Sequence, residues 1–511
     1  MFAVMAKIPL ELTTILFSSV VLFILIRIRR GRRTNKPNLP PGPWPFPLIG
    51  NLHLLGNHPH ISLQRLAKLY GPIFYLSLGE IPAVIISSAR TAREALHTHD
   101  LPLSSRPKIY SAMKLFYGCT DMAFSPYGPY WRHVRKICIL ELLSTKRVES
   151  YASSRAEEVS RLIDRVAASG ERVELSRVLG LYANGVLCKA AFGKEFAGGG
   201  DYERHGFVKM LEEFQELLGG LSIGDFFPSW EWIHVVTGMK RRLEWTSSRF
   251  DQLFDEIIEE HRERKRRGGE MEEKDLVHVL LDLKENGGME MPLTIDNIKA
   301  LILNMFAAGT DTTFITLDWG MTELIINPQV MKKAQDEVRG ILGGRKTVLE
   351  TDLPQMHYLK AVIKEIFRLH PPAPVLVPRE SMEHISIDGY DIPAKTRIFV
   401  NAWAIGRDPE SWVNPELFDP DRFIGSSIDF RGQDYELIPF GAGRRGCPGI
   451  TFSVASIELP LAQLLHSFNW ELPAGVRAED LDMTEVFGVT MYRKEKLVVI
   501  AKPHFSSYAG T

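Results

Sequence analysis

Residues 440–449 read FGAGRRGCPG: one cysteine among four glycines and two arginines, just ahead of an apolar run, ITFSVASIELPLAQLL, with the pattern of a helix. Arg444 and Arg445 lie close to Cys447 along the chain, and Pro448 at a helix start leaves free backbone N–H groups directed back at the sulfur. Such a loop is suited to stabilising a thiolate. Gly441, Gly443 and Gly449 let the backbone lie flat against something large. A phosphate-cradling loop also uses glycines, but the lysine and hydroxyl that complete one are missing. A single thiolate, a flat neighbour and an arginine for a carboxylate together suggest haem.

The other cysteines, Cys119, Cys138 and Cys188, are too far apart for a CxxC pair, a zinc spacing or a disulfide framework. They read as small apolar fillers in a reducing, cytosol-facing environment. Composition supplies exclusions only. With 61 basic against 62 acidic residues and a formal charge of -1, nothing calls for nucleic acid, and 45% hydrophobic residues allow an ample core.

The N-terminus stands apart. Leu12 to Ile26 is apolar and uncharged, Ile8, Leu10 and Ile28 extend it, and five arginines follow between Arg27 and Arg33. Positive charge behind the apolar segment argues against a cleaved signal and for an anchor that leaves the bulk of the chain on the cytoplasmic side. Six prolines between Lys36 and Pro47 make a stiff spacer. The expected division is therefore an anchor with its basic flank (1–33), a Pro-rich hinge (34–50) and one large domain (51–511). Within the domain, residues 73–87 alternate around Gly79-Glu80 as a hairpin, and most of the rest reads as helix. The charged run from Glu256 to Lys274 reads as a solvated helix end and loop, with a docking patch for an acidic partner as the sharper alternative.

Two further segments have a plain and a chemical reading. Residues 293–328 form a long helical pattern stopped by Asn327-Pro328, yet Gly309, Thr310, Thr312 and Thr313 in its middle favour local opening, either a packing kink or an alternative pairing of hydroxyls and carbonyls. Glu365 and Arg368, three apart on a helix ended by Pro371-Pro372, would by themselves be a surface ion pair.

Taken with Cys447, these strings resemble the cytochrome P-450 family of haem-thiolate monooxygenases. Phe440, Gly443, Arg445, Cys447 and Gly449 fill every fixed place of its Phe-x-x-Gly-x-Arg-x-Cys-x-Gly signature, and the hinge, NAWAIGRDP and the cysteine loop look most like the plant microsomal A-type branch. The resemblance implies a mainly α fold with small β-sheets behind one N-terminal transmembrane helix. It implies heme b with Cys447 as axial ligand and Arg445, Trp131, Arg135 and Arg379 at the propionates. AGTDTT resembles the oxygen-activation motif, with Asp311 and Thr312 at the acid and alcohol places. Reductive cleavage of O2 consumes two protons, which a hydroxyl and a carboxylate relay supply in a dry pocket. FDPDRF places Arg422 to complete a buried network with Glu365 and Arg368, with Asp421 where glutamate is commoner. Pro460 departs from the usual small apolar residue and predicts a kink.

By position in the family, Phe124, Asn304, Ala308, Val375, Val377, Phe487 and Val489 border the substrate. The function implied is insertion of one atom of O2 into a small apolar plant secondary metabolite, a terpenoid being favoured over a phenylpropanoid or alkaloid. Electrons would come from NADPH through NADPH-cytochrome P-450 reductase. The enzyme would sit in the endoplasmic reticulum membrane as a single-pass protein with a cytosolic catalytic domain. A haem-thiolate isomerase or dehydratase has no use for Thr312, and a non-catalytic haem-binding sensor has none for the acid and alcohol pair.

Overall fold

A computed structural model describes residues 37–170, 172–193, 207–219, 222–230, 232–267, 274–286 and 291–505. The expected anchor from Leu12 to Ile26 and its arginine flank lie outside the described residues. Pro40 to Thr511 forms one compact unit. The second half of the Pro-rich stretch belongs to it: Tyr75 donates its N–H to the Pro41 carbonyl at 2.8 Å, and Gly50 bridges to Leu78.

In chain order the longer elements begin with α1 (Pro59–Tyr70), β1 (Ile73–Leu78), β2 (Ile81–Ile86), α2 (Pro129–Ile137), α3 (Ala152–Ala168), β3 (Val173–Glu174) and α4 (Leu175–Phe192). There follow α5 (Phe207–Gly219), α6 (Met239–Arg266), α7 (Leu276–Glu285), α8 (Ile295–Ile326), α9 (Pro328–Leu342) and α10 (His357–Leu369). The last third holds β4 (Arg379–Glu380), β5 (Ile385–Ile387), β6 (Tyr390–Ile392), β7 (Arg397–Val400), α11 (Ile450–Ser467), β8 (Phe468–Glu471), β9 (Glu485–Val486), β10 (Tyr492–Arg493) and β11 (Val498–Pro503). The expected hairpin is β1–β2, in register from Ile73↔Ile86 to Leu78↔Ile81, and it continues into a four-stranded sheet ordered β1-β2-β7-β4 with β2 and β7 parallel. The other sheets among the described residues are small: β3-β11-β8, β5-β6 and β10-β9.

The largest apolar cluster fills the space among α3, α4, α6, α8, α9, α10 and α11, and a second lies under the four-stranded sheet. Helix α8 is long and apolar enough to cross a membrane, but most of it is buried in this core. Its start is fixed by a capping box, Thr294 accepting from the Asn297 N–H while Asn297 accepts from that of Thr294, and Pro328 opens the next helix. The charged run after Glu256 lies on the end of α6. There Arg262 and Arg266 pair with Glu259, and Lys265 with Asp282 and Glu285 of α7, so its described part is a solvated face engaged by its own side chains.

One sequence expectation needs correction. Helix α8 does not open at AGTDTT: it is continuous from Ile295 to Ile326. The glycine serves packing instead, since a Cβ on Gly309 would stand 3.1 Å from Leu187 Cδ1 of α4. The threonines donate to carbonyls four residues back without breaking the ladder, Thr312 to Ala308 at 2.6 Å and Thr316 to Thr312 at 2.8 Å.

Pro460 lies inside α11, which runs from Ile450 to Ser467. A proline at 460 cannot donate to the carbonyl of Ser456, and the buried Tyr182 hydroxyl of α4 donates to that carbonyl at 3.1 Å. Tyr182→Phe is therefore expected to cost about 1–3 kcal/mol, the usual penalty for an orphaned buried acceptor. In a Pro460→Ala background the cost should shrink, because the restored N–H takes the carbonyl. Denaturant midpoints of the four proteins in this cycle check it, and equal losses in both backgrounds would refute the account.

Candidate active site

The cysteine loop is closed on itself. Cys447 donates its N–H to the Phe440 carbonyl at 2.9 Å, and the Phe440 ring packs edge-on against Phe367 of α10, centroids 5.0 Å apart. Gly443 sits at φ +66°, where an added Cβ would lie 2.4 Å from Asp100 Oδ1 and 2.5 Å from the Leu96 carbonyl, so only glycine lets the loop approach so closely. Protein surrounds the sulfur, and burial pushes the thiol pKa up while the Gly449 N–H, 3.3 Å from Sγ, and the Arg135 charge pull it down. The residue nevertheless keeps exposed surface. Both hold if the side chain faces an internal space rather than bulk solvent.

The arginines next to the cysteine are committed elsewhere, contrary to the sequence expectation that they stabilise the thiolate. Arg444 pairs with Asp100 at 3.4 Å. Arg445 donates to the carbonyls of Ser104 and Ser125 at 2.6 Å each and lies 4.1 Å from the Trp131 ring centroid. The remaining cysteines are buried, which pushes Cys119 and Cys138 up to about 12 and raises Cys188 as well, so they stay thiols.

Above this loop the chain gathers four arginines. Arg135 of α2 donates to the Gly446 carbonyl at 2.8 Å and Arg379 of β4 to the Ala442 carbonyl at 2.7 Å. Arg106, which no sequence pattern singled out, donates to the carbonyls of Ala123, Val377 and Pro378. Burial holds all four below the usual guanidinium range, Arg445 at about 9, and for Arg106 and Arg445 the neighbouring arginines add to the effect. Against them stand Asp100, 3.3 Å from Arg379, and the buried Asp121, which burial raises to about 6 despite N–H bonds from Phe124 and Ala123. Such an excess of buried positive charge calls for an anion. The two carboxylates of a haem held at Cys447 would answer that requirement.

The uncovered face of α8 is marked by Ala308, which stays exposed in the middle of an otherwise buried helix, with the half-buried Thr312 one turn on. Beside them burial raises Asp311 to about 7, while hydrogen bonds from Thr490 and Gln215 pull the other way. Thr490 Oγ1 lies 3.4 Å from Asp311 Oδ2. Neither Thr490 nor Gln215 was legible in the sequence, since the first contact spans 179 positions.

The residues placed at the substrate by family position diverge in their contacts. Phe124 is buried and stacks on Phe116, Val377 packs on the main core, and Val489 lies against the end of α5, where a Cβ on Gly219 would be 2.4 Å from its N. Val375 packs instead on the cluster behind the hairpin, and Phe487 stacks on His60 of α1 with centroids 5.7 Å apart. Asn304 is 5% exposed.

On α10, Glu365 and Arg368 are fully buried, which removes the surface-pair reading. Arg368 grips the carboxylate with two bonds of 2.7 Å, Arg422 adds a third at 3.1 Å, and Arg368 also donates to the carbonyls of Gly406, Pro415 and Leu417. Asp421 turns outward to Lys333. Because Phe367 of the same helix supports Phe440, this network stiffens the ground under the cysteine loop.

The Cytochrome P450 family profile matches residues 40–499. The chain is 66% identical over 490 residues to cytochrome P450 71AP13 of Prunus mume, covering 96% of this chain and 95% of that one. It is 45% identical over 495 residues to premnaspirodiene oxygenase of Hyoscyamus muticus, covering 95% and 98%. Among solved structures, a zebra fish cytochrome P450 with abiraterone superposes with a TM-score of 0.75 at 27% identity, covering 88% of this chain and 100% of that one. The chain belongs to the cytochrome P450 family and, within it, to the monooxygenases of the plant microsomal A-type.

Proposed function

We propose that this protein is a membrane-anchored monooxygenase of the endoplasmic reticulum that oxidises a small, largely apolar plant secondary metabolite, a terpenoid by preference, with electrons from NADPH delivered by a flavoprotein reductase. Terpenoid oxygenases are among its relatives, which supports the preference. The observation that carries the oxygen-activating role is Asp311, a carboxyl group held near neutrality beside an alcohol on the uncovered face of α8.

Cys447 would hold the haem iron, and Arg135, Arg379 and Arg445, joined by Arg106, would hold its carboxylates, with Trp131 stacked against Arg445. When bound, haem supplies the redox chemistry by which O2 is reduced and cleaved. The chain does the rest. Asp311 keeps its carboxyl partly protonated near neutral pH, Thr312 presents a hydroxyl one residue on, and the apolar walls keep bulk water from short-circuiting the transfer. Phe440 and the Glu365–Arg368–Arg422 network keep the sulfur in place.

Membrane contact is supported by two exposed apolar groups, Trp44, Phe46 and Leu48 on one side and Trp232, Val235 and Val236 on the other. Both border the β1–β2 turn, through Gly79 N–H to the Ile49 carbonyl and Glu80 N–H to the Phe226 carbonyl. A patch of this kind fits a lipid surface. The reading as a whole is tested with the full chain in microsomes with reductase and a panel of terpenoids, phenylpropanoids and alkaloids. NADPH-dependent, oxygen-bearing product from at least one compound is expected, and NADPH consumption unaffected by every compound, with no product, would overturn it.

A further inference from the structure

Helix α8 carries many polar side chains, and most have a partner. Asn297 belongs to the capping box, Lys299 pairs with Asp251 and Asp255 at 2.7 Å each, Asp318 accepts from Ser176, and Glu323 meets His370 at 2.7 Å. No hydrogen bond to a described residue ties down the amide of Asn304, and although the residue is only 5% exposed, its amide is not among the fully enclosed polar groups. An amide has two donor and two acceptor positions, and leaving all of them unused in the interior is unfavourable. The hydroxyl of Thr310 also lacks a partner among the described residues, but at 100° per residue it lies about 160° around the helix from Ala308. Asn304 lies about 40° to one side of Ala308 and Thr312 about 40° to the other, so the three share one face.

We propose that Asn304 is a specificity-determining residue that hydrogen-bonds an oxygen function of the substrate, a hydroxyl, carbonyl or ether, at the far end of the molecule from the carbon that is oxidised. This rests on the monooxygenase reading and narrows its substrate to an apolar skeleton that already bears oxygen. The helix rise sets the scale: Asn304 stands about 12 Å along the axis from Thr312. Phe124, Ala308, Val377 and Val489 offer hydrocarbon surface, which excludes water but does not fix which way round a substrate lies. A neutral amide supplies that direction. It suits a neutral oxygen rather than a carboxylate or an ammonium group, because it brings no charge to offset theirs.

The test uses the full-length holoprotein and matched ligand pairs sharing one skeleton, nootkatone and valencene among several terpenoid ketones or alcohols and their parent hydrocarbons. Dissociation constants are read from ligand-induced Soret shifts, and product positions from turnover. At least one oxygenated ligand should bind wild type more tightly than its hydrocarbon. Asn304→Leu should weaken that ligand about 10-fold to 100-fold and leave the hydrocarbon within about twofold. Asn304→Gln should restore part of the preference and scatter the position of oxidation. The carbon monoxide spectrum is recorded for each protein first: a wild type without a thiolate band sinks the monooxygenase reading itself. With that band present, wild type preferring no oxygenated ligand, or Asn304→Leu keeping every preference, overturns the role of Asn304.

Discussion

Cys447→Ala abolishes the red-shifted Soret band that the reduced protein gives with carbon monoxide, while alanine at Cys119, Cys138 or Cys188 leaves it in place. The expectation follows from where the four sulfurs stand. Three are buried, which raises their pKa values, Cys119 and Cys138 to about 12, with the charges of Lys108 and Arg135 offsetting that burial only in part. Cys447 alone combines an enclosed position with exposed surface, an N–H donor at 3.3 Å and a neighbouring arginine. A metal ligand must be a thiolate, and burial disfavours that form unless the cation itself compensates. The loss should be complete rather than graded, because burial keeps the other three cysteines as thiols. The fold should survive, since the loop is closed by backbone bonds and supported by the Phe440–Phe367 contact, neither of which uses the side chain. A variant that kept the thiolate band would remove Cys447 from the iron, and a wild-type spectrum typical of histidine ligation would remove the haem-thiolate reading altogether.

What the sequence carried were local signals. Alternation around Gly79-Glu80 marked the β1–β2 hairpin, and Asn327-Pro328 marked the end of α8, because turn chemistry and helix stops act between neighbours in the chain. Burial is a different matter. Nothing local separates Glu365 and Arg368 from an exposed ion pair; what decides is that turns and loops from Gly406 to Arg422 fold over them. The same limit hid Arg106, Tyr182, Gln215 and Thr490, each of which matters through a partner far away in sequence. Proximity in sequence also misled. Arg444 and Arg445 adjoin the cysteine loop, yet their side chains are drawn to Asp100 and to the carbonyls of Ser104 and Ser125, and the arginine whose charge reaches the sulfur comes from α2. The glycine in AGTDTT pointed to a weakened helix only because the neighbour it accommodates, Leu187, is not visible in one segment.

Thr312→Ala and Asp311→Asn are expected to separate oxygen activation from haem binding. Alanine at 312 removes a hydroxyl that donates back to the Ala308 carbonyl and leaves the helical ladder intact, in a residue type at least as favourable to helix. Folding and the carbon monoxide band should persist. Product per NADPH should fall and hydrogen peroxide rise, because electrons still arrive but protons are no longer ordered. Asp311→Asn keeps the shape and removes the titrating group, so turnover should drop by roughly 100-fold to 10,000-fold. Because burial raises Asp311 from its ordinary value of 3.8 to about 7, wild-type turnover should decline as pH rises through about 7, and this limb should vanish in the asparagine variant. Stability gives an independent check with a fixed sign. The folded chain binds this proton more tightly than the unfolded chain, so Asp311 makes the wild type progressively less stable as pH rises from about 4 to about 7. The melting temperature of Asp311→Asn relative to wild type should therefore climb across that window and level off above it. If both variants kept wild-type coupling, rate and pH profile on a genuine substrate, Asp311 and Thr312 would be left with only the packing of α8 to explain them.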